Sequence, residues 1–85
     1  MKLSLADHVS MTSTDDGAVL LDEHRGRYFQ LNGSGYVTLR VLLEGEEQDA
    51  AVRRLVEEFD VSTERATHDV RALLEQLAGA GLVQT

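Results

Sequence analysis

The apolar pattern of this chain changes once, at Asn32-Gly33-Ser34-Gly35, and that position constrains the fold more than any other feature. Before it, apolar residues sit in short strand-like runs; beyond it they recur at helical spacing. Val9-Ser10-Met11-Thr12-Ser13 alternates apolar and hydroxylated side chains with period two, and Asp15-Asp16-Gly17 follows at once as a turn. Ala18-Val19-Leu20-Leu21 reads as a second strand, Asp22-Glu23-His24-Arg25-Gly26 as a second turn, and Arg27-Tyr28-Phe29-Gln30-Leu31 as a third strand rich in β-formers. A three-stranded antiparallel meander over about 8–31 follows.

After the break, Asn32 or Ser34 offers an N-cap for a helix over about 33–44, in which Val37, Leu39, Leu42 and Leu43 fall at helical spacing and Gly45 closes the segment. A second helix is expected over about 48–59, with Ala51, Val52, Leu55, Val56 and Phe59 on one stripe. Ser62 caps a third, over about 62–79, whose apolar positions are Ala66, Val70, Leu73, Leu74 and Leu77; Gly79 and Gly81 end it before Leu82 and Val83. A three-stranded sheet needs a cover for its apolar face, and three short helices need something beyond themselves to bury. The expectation is one α+β domain over 1–85, with the helices packed on one side of the sheet.

Size and charge narrow the functions open to it. A chain of 85 residues buries only about 60–65% of its unfolded surface, which leaves little area for an enclosed active site. The absence of Cys removes disulfides, thiolate metal sites and thiol nucleophiles together. The first residues lack the apolar run of a signal peptide, and no stretch reaches the roughly 18 apolar residues of a membrane helix, so a cytoplasmic location is expected. The net charge is −7. Residues 1–32 carry three basic and five acidic side chains, residues 33–60 three and seven, and the remainder two and three. No face assembles the cationic density that nucleic-acid phosphates or an anionic membrane require.

No constellation of catalytic residues emerges. His8, His24 and His68 share neither a turn nor a helix face, and the acidic clusters Glu44-Gly45-Glu46-Glu47 and Glu57-Glu58-Asp60 do not alternate ligands around a loop. Ser10, Ser13, Ser34 and Ser62 lie in no nucleophile-elbow sequence, and turn and cap duties account for Ser34 and Ser62. Gly33-Ser34-Gly35 lacks the third glycine of a dinucleotide site and the Lys of a P-loop. We expect no enzymatic activity, no metal and no cofactor.

The third strand is more informative. Tyr28 and Phe29 are adjacent, so their side chains point to opposite faces. Phe29 and Leu31 are assigned to the core, with Tyr28 and Gln30 on the other side. As the last strand of a meander it is an edge, with no Pro or inward Lys to block pairing with another chain. On the third helix Leu74 and Ala78 widen the apolar arc on one flank, beside Thr67 and Arg71. A spare apolar flank beside an open strand edge suits an extended peptide, with main-chain bonds for affinity and pockets for alternate side chains.

Three stretches then carry a resemblance: Asp16-Gly17-Ala18-Val19-Leu20-Leu21-Asp22, Gly26-Arg27-Tyr28-Phe29-Gln30-Leu31-Asn32, and Asp69-Val70-Arg71-Ala72-Leu73-Leu74-Glu75-Gln76-Leu77 with Gly81-Leu82-Val83 behind it. Together they resemble the PqqD-like peptide chaperones, or RiPP recognition elements, which bind the leader of a ribosomally made precursor peptide. Within that family the stand-alone form with an acidic second helix looks most like the chaperone of lasso-peptide biosynthesis. The resemblance implies a winged helix-turn-helix-like trihelical unit joined to the sheet, with the leader added as a further strand. It implies peptide contacts from Arg27, Tyr28, Phe29, Gln30 and Leu31 on the strand and from Thr67, Asp69, Val70, Arg71 and Leu74 on the third helix. Asp69 lies on the opposite flank of the helix wheel from Leu74, so both flanks stay open as the peptide side. The implied partners are a precursor leader, a cysteine-type leader peptidase and a macrolactam synthetase. Alternatives are a chaperone serving a radical enzyme and a winged-helix DNA-binding regulator, whose recognition helix would hold only Arg65 and Arg71 against Glu64, Asp69 and Glu75.

Overall fold

The structure, a computed structural model, describes residues 2–85. The elements run β1 (Ser4–Leu5), β2 (Val9–Ser13), β3 (Gly17–Asp22), β4 (Arg27–Asn32), α1 (Gly33–Leu43), α2 (Gln48–Glu58), α3 (Thr63–Gly79) and β5 (Val83–Gln84). The expected meander and three helices are all present, in the expected order. Strands β2, β3 and β4 form an antiparallel sheet in that spatial order, so β4 is an edge. Its register pairs Met11 with Leu20 and Leu20 with Phe29, and Ala18 with Leu31, which puts Val9, Met11, Ala18, Leu20, Phe29 and Leu31 on the face turned toward the helices. The opposite face holds Val19 and Leu21, both partly buried, and Tyr28, which is 74% exposed.

Helices α1 and α3 each start at a side-chain cap. The Asn32 side chain accepts hydrogen bonds from the Gly35 N–H at 2.8 Å and the Ser34 hydroxyl at 3.1 Å, so Asn32 rather than Ser34 is the N-cap of α1. Ser62 caps α3 by accepting from the Arg65 N–H at 3.1 Å. Leu39 and Leu42 of α1, Ala51 and Leu55 of α2, and Ala66, Val70 and Leu77 of α3 close over Leu20 as one core. Val56, which the sequence places on the buried stripe of α2, is 38% exposed. Its position lies at the margin of a stripe already filled by Ala51, Val52 and Leu55.

The chain termini form an element that periodicity did not reveal. At the end of α3, Gly81 takes φ +73, its N–H donates to the Ala78 carbonyl at 3.1 Å, and the Leu82 N–H reaches back to the Leu77 carbonyl at 2.9 Å. This paired closure needs a left-handed residue, which glycine supplies without strain. It turns the chain so that the Leu82 carbonyl accepts from the Ala6 N–H at 2.9 Å, and β5 pairs antiparallel with β1 through Ser4–Gln84 and Leu5–Val83. Leu3, Leu82 and Val83 are buried as a result. Among the described residues no helix is long and apolar enough to cross a membrane.

A groove between the edge strand and the third helix

Main-chain geometry shows which groups β4 leaves free. The Glu23 N–H donates to the His8 carbonyl and the Thr14 N–H to the Gly17 carbonyl, both at 2.9 Å, so the odd-numbered residues of β3 direct their main chain toward β2. By the alternation of an antiparallel ladder, Ala18, Leu20 and Asp22 direct theirs toward β4, where they meet Leu31, Phe29 and Arg27. Tyr28 and Gln30 therefore present N–H and C=O groups to the outer side of the edge.

That side opens into a groove of about 910 Å³. Strand β4 contributes Phe29, Gln30, Leu31 and Asn32; α3 contributes Arg65, Asp69, Ala72, Leu73 and Gln76. The start of α1 supplies Ser34, Gly35 and Thr38, the β2–β3 turn Thr14 and Asp16, and α2 Leu55. Phe29, Leu31, Leu55, Ala72 and Leu73 make an apolar floor, and the rim is polar. Small Ala72 leaves room between Asp69 and Gln76 for a side chain entering from outside. The Arg65 guanidinium donates to Asp69 at 3.3 Å across one helical turn, with both side chains substantially exposed. Such a pair contributes only about 0.3–0.5 kcal/mol, so it tethers the rim without locking it.

The hairpin leading into β4 is held by Asp22. Its side chain is almost fully buried and accepts from the backbone N–H groups of His24 at 3.0 Å and Arg25 at 3.1 Å, while the His8 imidazole lies 3.8 Å away. Burial acts to raise the Asp22 pKa. The Arg25 and His24 N–H groups, together with the electrostatic pull of the His8 imidazole and the Arg25 guanidinium, outweigh it and hold the carboxyl below its ordinary range. His8 also stacks on His24 with ring centroids 4.3 Å apart.

The residues expected at a peptide site divide between this groove and other places. Phe29, Gln30, Leu31 and Asp69 line it. Phe29 is half-buried at the groove rather than sealed in the core, because the edge strand has no neighbour on that side. Arg27 and Tyr28 are exposed and lie outside the lining. Thr67, Val70, Arg71 and Leu74 are not part of it either. Val70 is 1% exposed and belongs to the core. Thr67 is exposed and donates its hydroxyl to the Thr63 carbonyl at 2.8 Å; Arg71 is exposed. Leu74 lines a separate hollow with Leu3, Ala78 and Val83.

This division has a physical cause. Asp69, Ala72, Leu73 and Gln76 follow i, i+3, i+4, i+7 spacing and share one flank of α3, whereas Thr67, Arg71, Leu74 and Ala78 sit on roughly the opposite side. The β1–β5 ribbon packs beside the second flank, so only the first is left to face β4. Ala72, Leu73 and Gln76 join Asp69 on the groove-facing flank, and their shared i, i+3, i+4, i+7 spacing is the sequence signal for it.

The arrangement defines a small α+β module in which an open strand edge and a helix flank face each other across an apolar-floored groove. The chain belongs to the PqqD family: the family model for Coenzyme PQQ synthesis protein D (PqqD) matches residues 17–83. Two solved structures share the whole fold. "Lasso peptide synthetase B1 complexed with the leader peptide" superposes with a TM-score of 0.90 at 30% sequence identity, covering 100% of both chains. "TbiB1 in Complex with the TbiA(beta) Leader Peptide" does so with a TM-score of 0.83 at 31% identity, covering 99% of this chain and 95% of that one. No curated protein matches the chain.

Proposed function

We propose that this chain binds the leader segment of a ribosomally made precursor peptide and holds it for the processing enzymes of lasso-peptide biosynthesis. The observation that carries this reading is the open β4 edge over the apolar floor of Phe29, Leu31, Ala72 and Leu73. An extended segment laid there pairs with the main chain of Tyr28 and Gln30 and drops alternate side chains onto that floor. Both structural relatives are described as leader-peptide complexes, which supports the same use of the groove. The lasso-peptide context of the first favours that pathway over service to a radical enzyme. No feature of the groove favours DNA, and the −7 charge opposes it.

In this reading the chain is not an enzyme and uses no cofactor. A leader peptidase of the cysteine type and a macrolactam synthetase act on the peptide it holds. It works in the cytoplasm, a location consistent with its lack of Cys. The test is a calorimetric titration with the cognate leader. About four main-chain bonds and two or three apolar anchors, less the cost of ordering the peptide, correspond to a Kd of roughly 10 nM to 1 μM with negative ΔCp. Binding weaker than about 1 mM would overturn the assignment.

A further inference from the structure

Opposite the leader groove, across α3, lies a second hollow of about 330 Å³. Leu74 and Ala78 form one wall, one helical turn apart, and Leu3 with Val83 of the terminal ribbon forms the other; Gln48 and Glu75 stand at its edge. Leu74 is only half-buried and Ala78 is exposed, so this apolar strip is not sealed by the described residues. Strands β1 and β5 have two residues each, too few for a partner to dock by strand addition. Side chains must make any contact, and the repeat of Leu74 and Ala78 along α3 matches the i, i+4 rise of a helix laid beside it, with small Ala78 allowing close approach.

Charge selects the occupant. Glu75 is the one charged residue among those lining the hollow. The segment that brings Gln48 to it carries exposed Glu44, Glu46, Glu47 and Asp49 and no base, with Glu44 4.0 Å from Arg40. Lys2, beside Leu3, Arg71, one turn before Glu75, and Arg40 beside Glu44 are the bases of the surround. Acids outnumber bases there five to three, in a chain of net charge −7. This surround opposes a second copy of the same chain and favours a cationic partner.

We propose that this hollow is a docking seat for a basic amphipathic helix of another protein, occupied independently of the leader groove. Because the two sites lie on opposite flanks of α3, one molecule can hold both ligands at once. This goes beyond the leader reading and does not rest on it.

The test uses the full chain and a synthetic leucine–lysine amphipathic helix of about four turns, with a leucine–glutamate counterpart, followed by amide NMR shifts. The lysine peptide is expected to move Leu74, Ala78 and Val83 while leaving Gln30 and Ala72 in place, and the glutamate peptide to bind at least about tenfold more weakly. Leu74→Glu and Ala78→Glu each add negative charge, so simple attraction of a basic peptide would strengthen. Docking on the apolar wall instead weakens by at least about tenfold. Ala78 is exposed, so its variant carries the test should Leu74→Glu disturb the fold. Equal binding of both peptides, unchanged or tighter binding to the folded variants, shifts confined to the leader groove, or self-association abolished by Ala78→Glu would each overturn the proposal. A leader titration run in parallel is expected to be unchanged in both variants, which separates this result from that of the leader reading.

Discussion

Proline at position 30 separates strand addition from every other way of using the groove. The ladder alternation directs the Gln30 N–H away from β3, so Gln30→Pro removes no bond within the sheet. Proline is tolerated at an edge position whose N–H faces outward, and the extended backbone it imposes on the residue before it is what Phe29 already has within β4. The fold should therefore survive, with stability reduced by no more than about 1 kcal/mol, or roughly 4–8 °C in Tm for a domain of this size. A leader strand would lose one main-chain bond, about 0.5–1.5 kcal/mol, and have one carbonyl covered without a partner, about 1–3 more. The combined cost of about 2–4 kcal/mol corresponds to a Kd roughly 30- to 1,000-fold weaker. Gln30→Ala keeps the N–H and loses only an exposed side chain, so it should weaken binding by no more than a few-fold. Thermal melting paired with a leader titration reads both effects. A folded Gln30→Pro protein with wild-type affinity would show that the peptide does not pair with β4, and an unfolded one that the N–H faces inward.

Three further perturbations follow from named contacts. Ala72→Trp puts a large side chain into the groove from a half-buried helix position, and should weaken leader binding at least about tenfold while leaving the melting curve near wild type. Gly17→Ala should destabilise by more than the ~1–3 kcal/mol of ordinary overpacking, read by denaturant unfolding, because a Cβ there would overlap the Leu31 carbonyl oxygen and lie 2.7 Å from the Asn32 carbonyl carbon, both backbone atoms. Asp22 has its pKa lowered on folding, so its contribution to stability is present above about pH 4 and is lost as pH falls through the folded value. Asp22→Asn should flatten that acid limb in melts from about pH 6 to pH 2, and a limb identical to wild type would place the pH dependence elsewhere.

Local signals located every long element. The caps Asn32 and Ser62, the turn at Asp15-Asp16-Gly17 and the strand alternation are short-range facts, written in neighbouring residues. The flank of α3 that meets β4 is a long-range fact. It depends on Leu3, Leu82 and Val83 packing together from the two ends of the chain, in strands of two residues that no periodicity can register. With that ribbon unseen, the wider apolar arc at Leu74 and Ala78 outweighed the mixed flank of Asp69, Ala72, Leu73 and Gln76. Phe29 shows a related limit: pleat alternation gives its face, which does pack against the core, but whether that face is roofed at the sheet edge depends on what lies beside it.

The groove also explains why no residue-type signature announces it. A catalytic or metal site depends on particular side chains at particular spacing, whereas an edge strand offers N–H and C=O groups that every residue except proline carries. What must persist is the register of β3 on β4, the helix flank across from it and an apolar floor that many side chains can supply. A site of this kind survives wide divergence as long as the topology does. The numbers here have that form: 30% identity to a leader-bound structure accompanies a TM-score of 0.90 over the whole chain. Specificity must then come from the few side-chain positions that shape the floor and rim. Ala72, which sets the depth, and Asp69 with Arg65, which set the charge at one rim, are the places where two members of the family with the same backbone would come to prefer different peptides.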